Sequence, residues 1–106
     1  MPKQFDVFPN PNRAFALYYP YIVVLQADVV ATERRKIVAP LYNAPTSQTP
    51  PAGVLTPKVM IAENRFYLLI QQIATVEISD LKTLVTNIVH MRDKVTRGLD
   101  LLFQGV

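Results

Sequence analysis

The spacing of the apolar residues changes near residue 80, and this change limits the folds that the chain can adopt. Before it, β-branched and aromatic residues form short runs separated by turn residues, a pattern typical of β-strands. After it, the apolar residues are spaced by three, four or seven, as on one face of a helix: Leu81, Leu84, Val85, Ile88, Val95, Leu99 and Leu102. The sequence therefore predicts a mainly β fold with one C-terminal α-helix.

The strand-like runs lie at residues 5–8, 15–26, 36–42, 58–62, 66–71 and 73–79. Pro20 and Pro40 fall within two of these runs, and because proline cannot donate to a β-ladder, we expect a curled and bulged sheet. Glu63-Asn64-Arg65 joins two of the runs in a hairpin pattern. Residues 43–57 carry four prolines and predict the one long loop.

The predicted helix begins near Asp80, where Ser79 and Asp80 supply a plausible N-cap. One helix from there to Gln104 would be about 37 Å long at about 1.5 Å per residue. That is longer than a small domain is wide, so we expect a break or loose first turns. Gly98 weakens the helix locally, and Gly105 suits its end.

Length and composition predict one domain spanning residues 1–106. A chain of 106 residues can bury one core without staples, and the absence of cysteine excludes disulfides and thiolate metal sites. The N-terminus lacks the apolar segment of a signal peptide, and the apolar stretch at residues 15–25 is too short to span a bilayer. We therefore expect a soluble, cytoplasmic protein without membrane contact.

Side chains suited to catalysis are scarce. His90 is the only histidine, the eight carboxylates are scattered, and the three glycines are not clustered. Little remains from which to build a catalytic triad, an imidazole metal site or a phosphate-binding loop. We expect His90 to be a surface or structural residue. The sequence predicts a binding protein rather than an enzyme, with no catalytic residue, metal or cofactor.

The charge pattern is mildly basic. A net charge of +3 favours acidic partners by long-range attraction but does not identify them. The only basic run is Arg34-Arg35-Lys36, which we interpret as a solvated turn between two strands. A phosphate-binding patch is the alternative, although it would need more basic residues on the same face.

The last six residues, LLFQGV, resemble a protease site that is used in engineered tags. They also continue the helical face that contains Leu99 and Leu102, so we interpret them as native. We expect Leu99 and Leu102 to pack the helix on the sheet. Phe103 and Val106 place apolar side chains beyond the last turn, which predicts a contact surface.

Two internal stretches and the tail carry a family pattern. Residues 23–41 contain a Gln-x-Asp, two branched aliphatics, a threonine, a basic pair, three apolar residues and Pro-Leu. Residues 59–79 contain Phe66, then Leu68-Leu69 and Ala74-Thr75-Val76. The tail has an acidic residue, two aliphatics, Phe, a variable residue, Gly and a branched aliphatic. In this spacing the chain resembles the CcdB-type toxins of plasmid-maintenance toxin–antitoxin systems.

This resemblance implies an SH3-like, partly barrelled antiparallel sheet with a C-terminal helix, forming a homodimer. It also implies a poison that binds the A subunit of DNA gyrase, traps the cleaved-DNA complex and is neutralised by a cognate, partly disordered antitoxin. The toxin would contact DNA only indirectly, through a toxin–antitoxin complex that regulates transcription at its own operator. Carried over by position, the gyrase contact would use Val29, Val30, Asp100, Phe103, Gln104, Gly105 and Val106.

Gln104 departs from the family pattern, because well-known members have Trp there, which stacks on an arginine of gyrase. Glutamine offers no aromatic face, and a lost cation–π contact costs about 0.5 to 2 kcal/mol. Two alternatives to a gyrase poison follow. One is an mRNA-cleaving toxin of the same fold, supported only by Arg34-Arg35-Lys36 and Arg65. The other is a degenerate homologue that binds antitoxin or gyrase without poisoning.

Overall fold

The computed structural model describes residues 1–28, 34–44 and 52–105. Its strands are β1 (Asp6–Pro9), β2 (Tyr21–Val24), β3 (Arg35–Tyr42), β4 (Lys58–Ile61), β5 (Asn64–Leu68), β6 (Ala74–Glu77) and β7 (Thr86–Asn87). They form an antiparallel sheet in the order β4-β5-β3-β2-β1-β7, with β6 also paired to β3. One α-helix, α1 (Arg92–Gln104), follows the last strand.

The sheet curls around β3. Along one edge, residues 38–41 of this strand pair with β2. Along the other edge, residues 35–38 pair with β6, whereas Leu41 and Tyr42 pair with β5. A 3₁₀ turn at Ile70–Gln72 allows the chain to leave β5 and return as β6. The result is a nearly closed antiparallel barrel with one C-terminal helix, which confirms the predicted fold class.

Alternating side chains of β1 and β2 enter two apolar clusters, as expected when successive residues point to opposite faces of a sheet. Val7 and Val23 belong to the main cluster, which also contains Val95 of α1. Phe8 and Ile22 belong to a smaller cluster, completed by Val24, Val38 and Leu81. Helix α1 therefore covers one face of the sheet, and the smaller cluster lies on the other.

The prediction that the helix begins near Asp80 is wrong. Residues Ile78–Asp80 form a single 3₁₀ turn, and the chain then runs extended into β7. The Val85 N–H donates to the Val7 carbonyl at 2.8 Å, and the Ile88 N–H donates to the Phe5 carbonyl at 2.9 Å. These backbone groups pair with the segment at β1 and cannot serve a helix. Leu84 and Val85 are consequently exposed rather than part of a buried helical face.

Helix α1 begins only at Arg92, after a second 3₁₀ turn at Val89–Met91. It has 13 residues, so it is about 20 Å long at about 1.5 Å per residue. We expected a break or loose first turns, but all of residues 80–91 lie outside the α-helix. Within the described residues, none of the helices has the length and apolar character that crossing a membrane requires.

Most of the predicted strands are present with shifted bounds. The largest difference is in residues 15–26, where Arg13–Phe15 form a 3₁₀ turn and the strand begins only after Pro20. Proline can precede a strand without removing a ladder hydrogen bond. The predicted hairpin is present, but its turn lies at Ala62 and Glu63, both with positive φ, of 50° and 67°, whereas Asn64 and Arg65 belong to β5. Part of the predicted long loop, residues 45–51, lies outside the described residues.

Candidate partner-binding surface

Helix α1 packs on the sheet through one face and leaves its C-terminal end in solvent. Val95 and Gly98 are buried on the packed face. Leu99 and Leu102 are partly buried against the main cluster, which confirms the packing role predicted for them. The helix is therefore anchored almost to its end, and the side chains around its last turn are presented on a fixed support.

Gly98 is a point of close approach between α1 and the rest of the domain. A Cβ atom added there would collide with the Ile70 Cδ1 atom and lie 2.7 Å from the Val54 carbonyl oxygen. Real Cβ atoms do not approach backbone oxygen so closely, and only glycine avoids the contact. The absence of a side chain lets the helix backbone lie directly on the turn that contains Val54.

Three exposed side chains lie at the C-terminal end of α1. Asp100, Phe103 and Gln104 are related by spacings of three and four, which places them as neighbours on one helical face. The Phe103 side chain is 67% exposed. We call Asp100, Phe103, Gln104 and Gly105 the tail surface. Single exposed apolar side chains are common on protein surfaces, and Leu17 and Phe15 are also exposed; Phe103 differs from them in its place at the end of an anchored helix.

Gly105 ends the helix in the left-handed conformation, with φ of 75°. Its N–H donates to the Leu101 carbonyl at 3.0 Å, which satisfies one of the carbonyls that a helix end leaves open. A side chain at this backbone conformation is strained, by roughly 1 to 2 kcal/mol. Gly105 thus fixes the direction in which the chain leaves the last helical turn.

The structure brings together four of the residues predicted to contact gyrase, namely Asp100, Phe103, Gln104 and Gly105. Val29, Val30 and Val106 lie outside the described residues. Asp28 precedes Val29 in the sequence, and its Oδ1 atom accepts the Gln4 N–H at 2.8 Å.

The basic run is not a solvated turn, contrary to our interpretation. Arg35 and Lys36 belong to β3, and alternation along the strand puts their side chains on opposite faces. The Arg35 Nε atom donates to the Glu77 carboxylate at 2.9 Å. Lys36 is buried, with only 2% of its surface exposed. Neighbours in sequence therefore do not make one basic patch.

The residues that supported an mRNA-cleaving toxin are also far apart. Arg35 opens β3, while Arg65 lies on β5, which pairs with β3 only at Leu41 and Tyr42. Arg35 and Tyr42 are seven residues apart on β3, which corresponds to about 23 Å at about 3.3 Å per residue. The two arginines are thus too distant to act on one scissile phosphate.

Groups suited to metal binding do not gather in the described part of the chain. His90 is exposed on the 3₁₀ turn before α1, a surface position as expected. No cluster of three or more His, Cys, Asp or Glu side chains occurs among the residues that the structure describes.

The family model of the CcdB protein matches residues 4–105. The chain belongs to the CcdB family. Membership makes this CcdB-family protein a toxin of a toxin–antitoxin system, with an antitoxin as its partner. The match spans β1 to the end of α1, so both the barrel and the tail surface belong to the shared pattern.

Proposed function

We propose that the toxin binds the A subunit of DNA gyrase through the tail surface and traps the complex of gyrase with cleaved DNA. The observation that carries the proposal is the exposure of Phe103 at the end of an anchored helix. An exposed aromatic on a rigid support loses little conformational entropy on binding, and aromatic side chains dominate the energetics of many interfaces.

The tail surface has the composition of a binding site. Phe103 supplies the apolar centre, while Asp100 and Gln104 beside it offer hydrogen-bonding groups. The backbone at Gly105 is open, since nothing lies within 4 Å of the position where its Cβ would be. A partner can therefore approach both the ring and the main chain. We propose that the toxin acts by this contact and not as an enzyme.

The other partners follow from the same proposal. The toxin acts as a homodimer, so that two tail surfaces meet the two A subunits of gyrase. A cognate antitoxin neutralises it, and the complex of the two controls its own operator. The positive net charge of the toxin supports an acidic antitoxin segment as the neutralising element. Gyrase acts on DNA in the cytoplasm, where the toxin must therefore work.

Phe103→Ala tests the contact, with Phe15→Ala as the matched control. Both rings are mostly exposed, at 67% and 57%, so neither change should unfold the domain. We expect expression of the wild-type chain and of Phe15→Ala to arrest growth of gyrase-bearing cells and to accumulate cleaved DNA. Phe103→Ala should lose at least about 2 kcal/mol of binding energy, roughly 30-fold in affinity, as for an interface hot spot.

The readouts are growth, plasmid supercoiling and cleavage complexes formed by purified gyrase. Deletion of residues 104–106 should abolish all three effects. A folded wild-type chain that leaves growth and supercoiling unchanged would falsify the proposal.

A further inference from the structure

Strand β6 has one open edge. Along its other edge it pairs with residues 35–38 of β3. Among the strands of the described ranges, β3 is its only partner, and β6 lies outside the main strand order of the sheet. Its residues Ala74 and Thr75 are exposed, as expected for a strand at the margin of a sheet.

The backbone groups of Thr75 and Glu77 point to this open edge. The Ile37 carbonyl accepts the Leu25 N–H at 2.9 Å, so the peptide groups of Ile37 face the β2 side of β3. Successive residues of a strand face alternate neighbours, so the even-numbered residues of β3 face β6 and bond to the even-numbered residues opposite them. The odd-numbered residues Thr75 and Glu77 therefore turn their N–H and C=O groups outward.

These outward groups have no hydrogen-bond partner within residues 1–28, 34–44 and 52–105. Unpaired strand edges can pair with another chain, and proteins usually protect them with lysine, proline or a very short strand. The edge strand β4 carries Lys58, and β7 has only two residues. Strand β6 has four residues, Ala-Thr-Val-Glu, and none of these protections.

One face of the sheet beside this edge is apolar. The Val76 side chain packs against the smaller cluster and is only partly buried. Together with Ile22 and Val38 it lines a groove of about 510 Å³. A strand added beside β6 would therefore cover apolar surface as well as satisfy backbone groups.

We propose that the β6 edge binds the β6 edge of a second copy of this chain, antiparallel and about a two-fold axis at Val76. The inference rests on the homodimer of the proposed function and assigns its interface. Thr75 of each copy then faces Glu77 of the other. Each of these two pairs exchanges two N–H···O=C bonds, which gives four bonds between the copies.

The side chains of the paired strands are compatible with this register. The two Val76 residues form a non-hydrogen-bonded pair, with Cα atoms about 4.5 Å apart and their methyl groups in contact. On the opposite face, the Thr75 hydroxyl lies beside the Glu77 carboxylate of the second copy and can donate to it. That carboxylate already accepts a bond from Arg35 of its own chain at 2.9 Å.

Charge favours a second copy over an acidic segment of the antitoxin as the occupant. Glu77 is the only charged residue of β6, and in the symmetric pair it faces the neutral Thr75. The two Lys36 residues are three strand spacings apart, about 14 Å, which exceeds the screening length of about 8 to 10 Å. An acidic segment would instead place carboxylates beside Glu77, and like charges directly opposite are destabilising.

Cysteine cross-linking of the full-length protein tests the register, because the chain has no cysteine of its own. Val76→Cys brings two thiols face to face at a Cα separation within the range of about 4.4 to 6.8 Å that a disulfide accepts. We expect mild oxidation to convert this variant into a covalent dimer on a non-reducing gel. Met60→Cys, at an exposed position of the edge strand β4, is the matched control and should remain monomeric on the same gel.

Thr75→Pro tests the backbone bonds. It removes an outward N–H and none of the bonds to β3, and proline is tolerated on edge strands. Two of the four bonds between copies are lost, so we expect dimerisation to weaken roughly tenfold or more. Thr75→Ala keeps the N–H and should keep the wild-type affinity. Analytical ultracentrifugation measures both, and thermal unfolding verifies that each variant is folded.

A wild-type dimer that Val76→Cys fails to cross-link would overturn the β6 interface, as would a folded Thr75→Pro variant that dimerises as tightly as the wild type. If Thr75→Pro does not fold, the cross-link alone decides. Gyrase is absent from these measurements, so either result would leave the proposed gyrase contact intact. A wild-type chain that remains monomeric would overturn the interface and also the homodimer of the proposed function, while Phe103→Ala still tests the tail surface separately.

Discussion

Gly98 and Ile70 are in such close contact that the helix has no room for a side chain at this position. A Cβ on Gly98 would meet the Ile70 Cδ1 atom and the Val54 carbonyl oxygen, the latter at 2.7 Å. The isoleucine end can move, but the backbone oxygen cannot move cheaply. This contact limits how closely α1 approaches the 3₁₀ turn of Ile70 and the backbone at Val54, and it thereby helps to position the tail surface.

Gly98→Ala is therefore expected to destabilise the domain although alanine is the better helix former. The gain in helix propensity is about 0.8 to 1 kcal/mol, and overpacking costs about 1 to 3 kcal/mol. We expect a net loss of up to about 2 kcal/mol. Urea unfolding measures it, with Thr96→Ala at an exposed helical position as the control. A more stable Gly98→Ala variant would show that α1 can move away from Val54 without cost.

Asn87 holds the segment before α1 against β1. Its Nδ2 atom donates to the buried Asp6 carboxylate at 2.9 Å and to the Gln4 carbonyl at 3.1 Å. Its Oδ1 atom accepts the Val89 N–H at 2.8 Å. Asn87→Ala removes a donor from a carboxylate that is 6% exposed, which should cost about 1 to 3 kcal/mol.

Thr83→Ala, at an exposed position of the same segment, should change stability by no more than about 0.5 kcal/mol. Urea unfolding of both variants provides the comparison. Faster hydrogen exchange at the Val85 and Ile88 amides would show that β7 has loosened in Asn87→Ala. Equal stability of the two variants would mean that the backbone pairing alone holds this segment.

The pairing of β7 with β1 is also the feature that sequence analysis missed. Asp6 and Asn87 are partners in the ladder although they are far apart in the chain. Leu81, Leu84, Val85 and Ile88 have helical spacing, but tertiary hydrogen bonds to β1 override that local preference. In contrast, the hairpin of β4 and β5 depends on a local turn, and its presence was predicted correctly.

The candidate surface residues also differ in whether the sequence predicted them. The residues of the tail surface were selected from the resemblance, and for Phe103 also from its apolar side chain beyond the last helical turn. The cleft lined by Lys58, Lys94 and Arg97 was not predicted, since Lys58 lies on a strand and the other two lie on the helix. Sequence analysis instead selected Arg34-Arg35-Lys36, where strand alternation separates neighbouring side chains.

Arg35→Ala is expected to leave toxicity unchanged. The Arg35–Glu77 pair is a surface ion pair, with side chains 65% and 38% exposed, and such pairs contribute about 0.2 to 1 kcal/mol. The variant should unfold at nearly the same urea concentration as the wild type and should still arrest growth. Incubation of the purified chain with RNA provides the second readout. Cleavage that disappears in Arg35→Ala would instead support the mRNA-cleaving alternative.

Gln104→Trp is expected to strengthen gyrase poisoning. Gln104 is exposed on the tail surface beside Phe103, so the larger side chain of tryptophan fits there without disturbing the core. An indole can stack on a cationic side chain of the partner, a contact of about 0.5 to 2 kcal/mol, or roughly 2- to 30-fold in affinity. Gyrase cleavage assays over a range of toxin concentrations measure the gain. Gln104→Leu adds apolar area without an aromatic face and is the control. If Trp and Leu give equal gains, the benefit is burial rather than stacking; if neither gives any, Gln104 lies outside the gyrase contact.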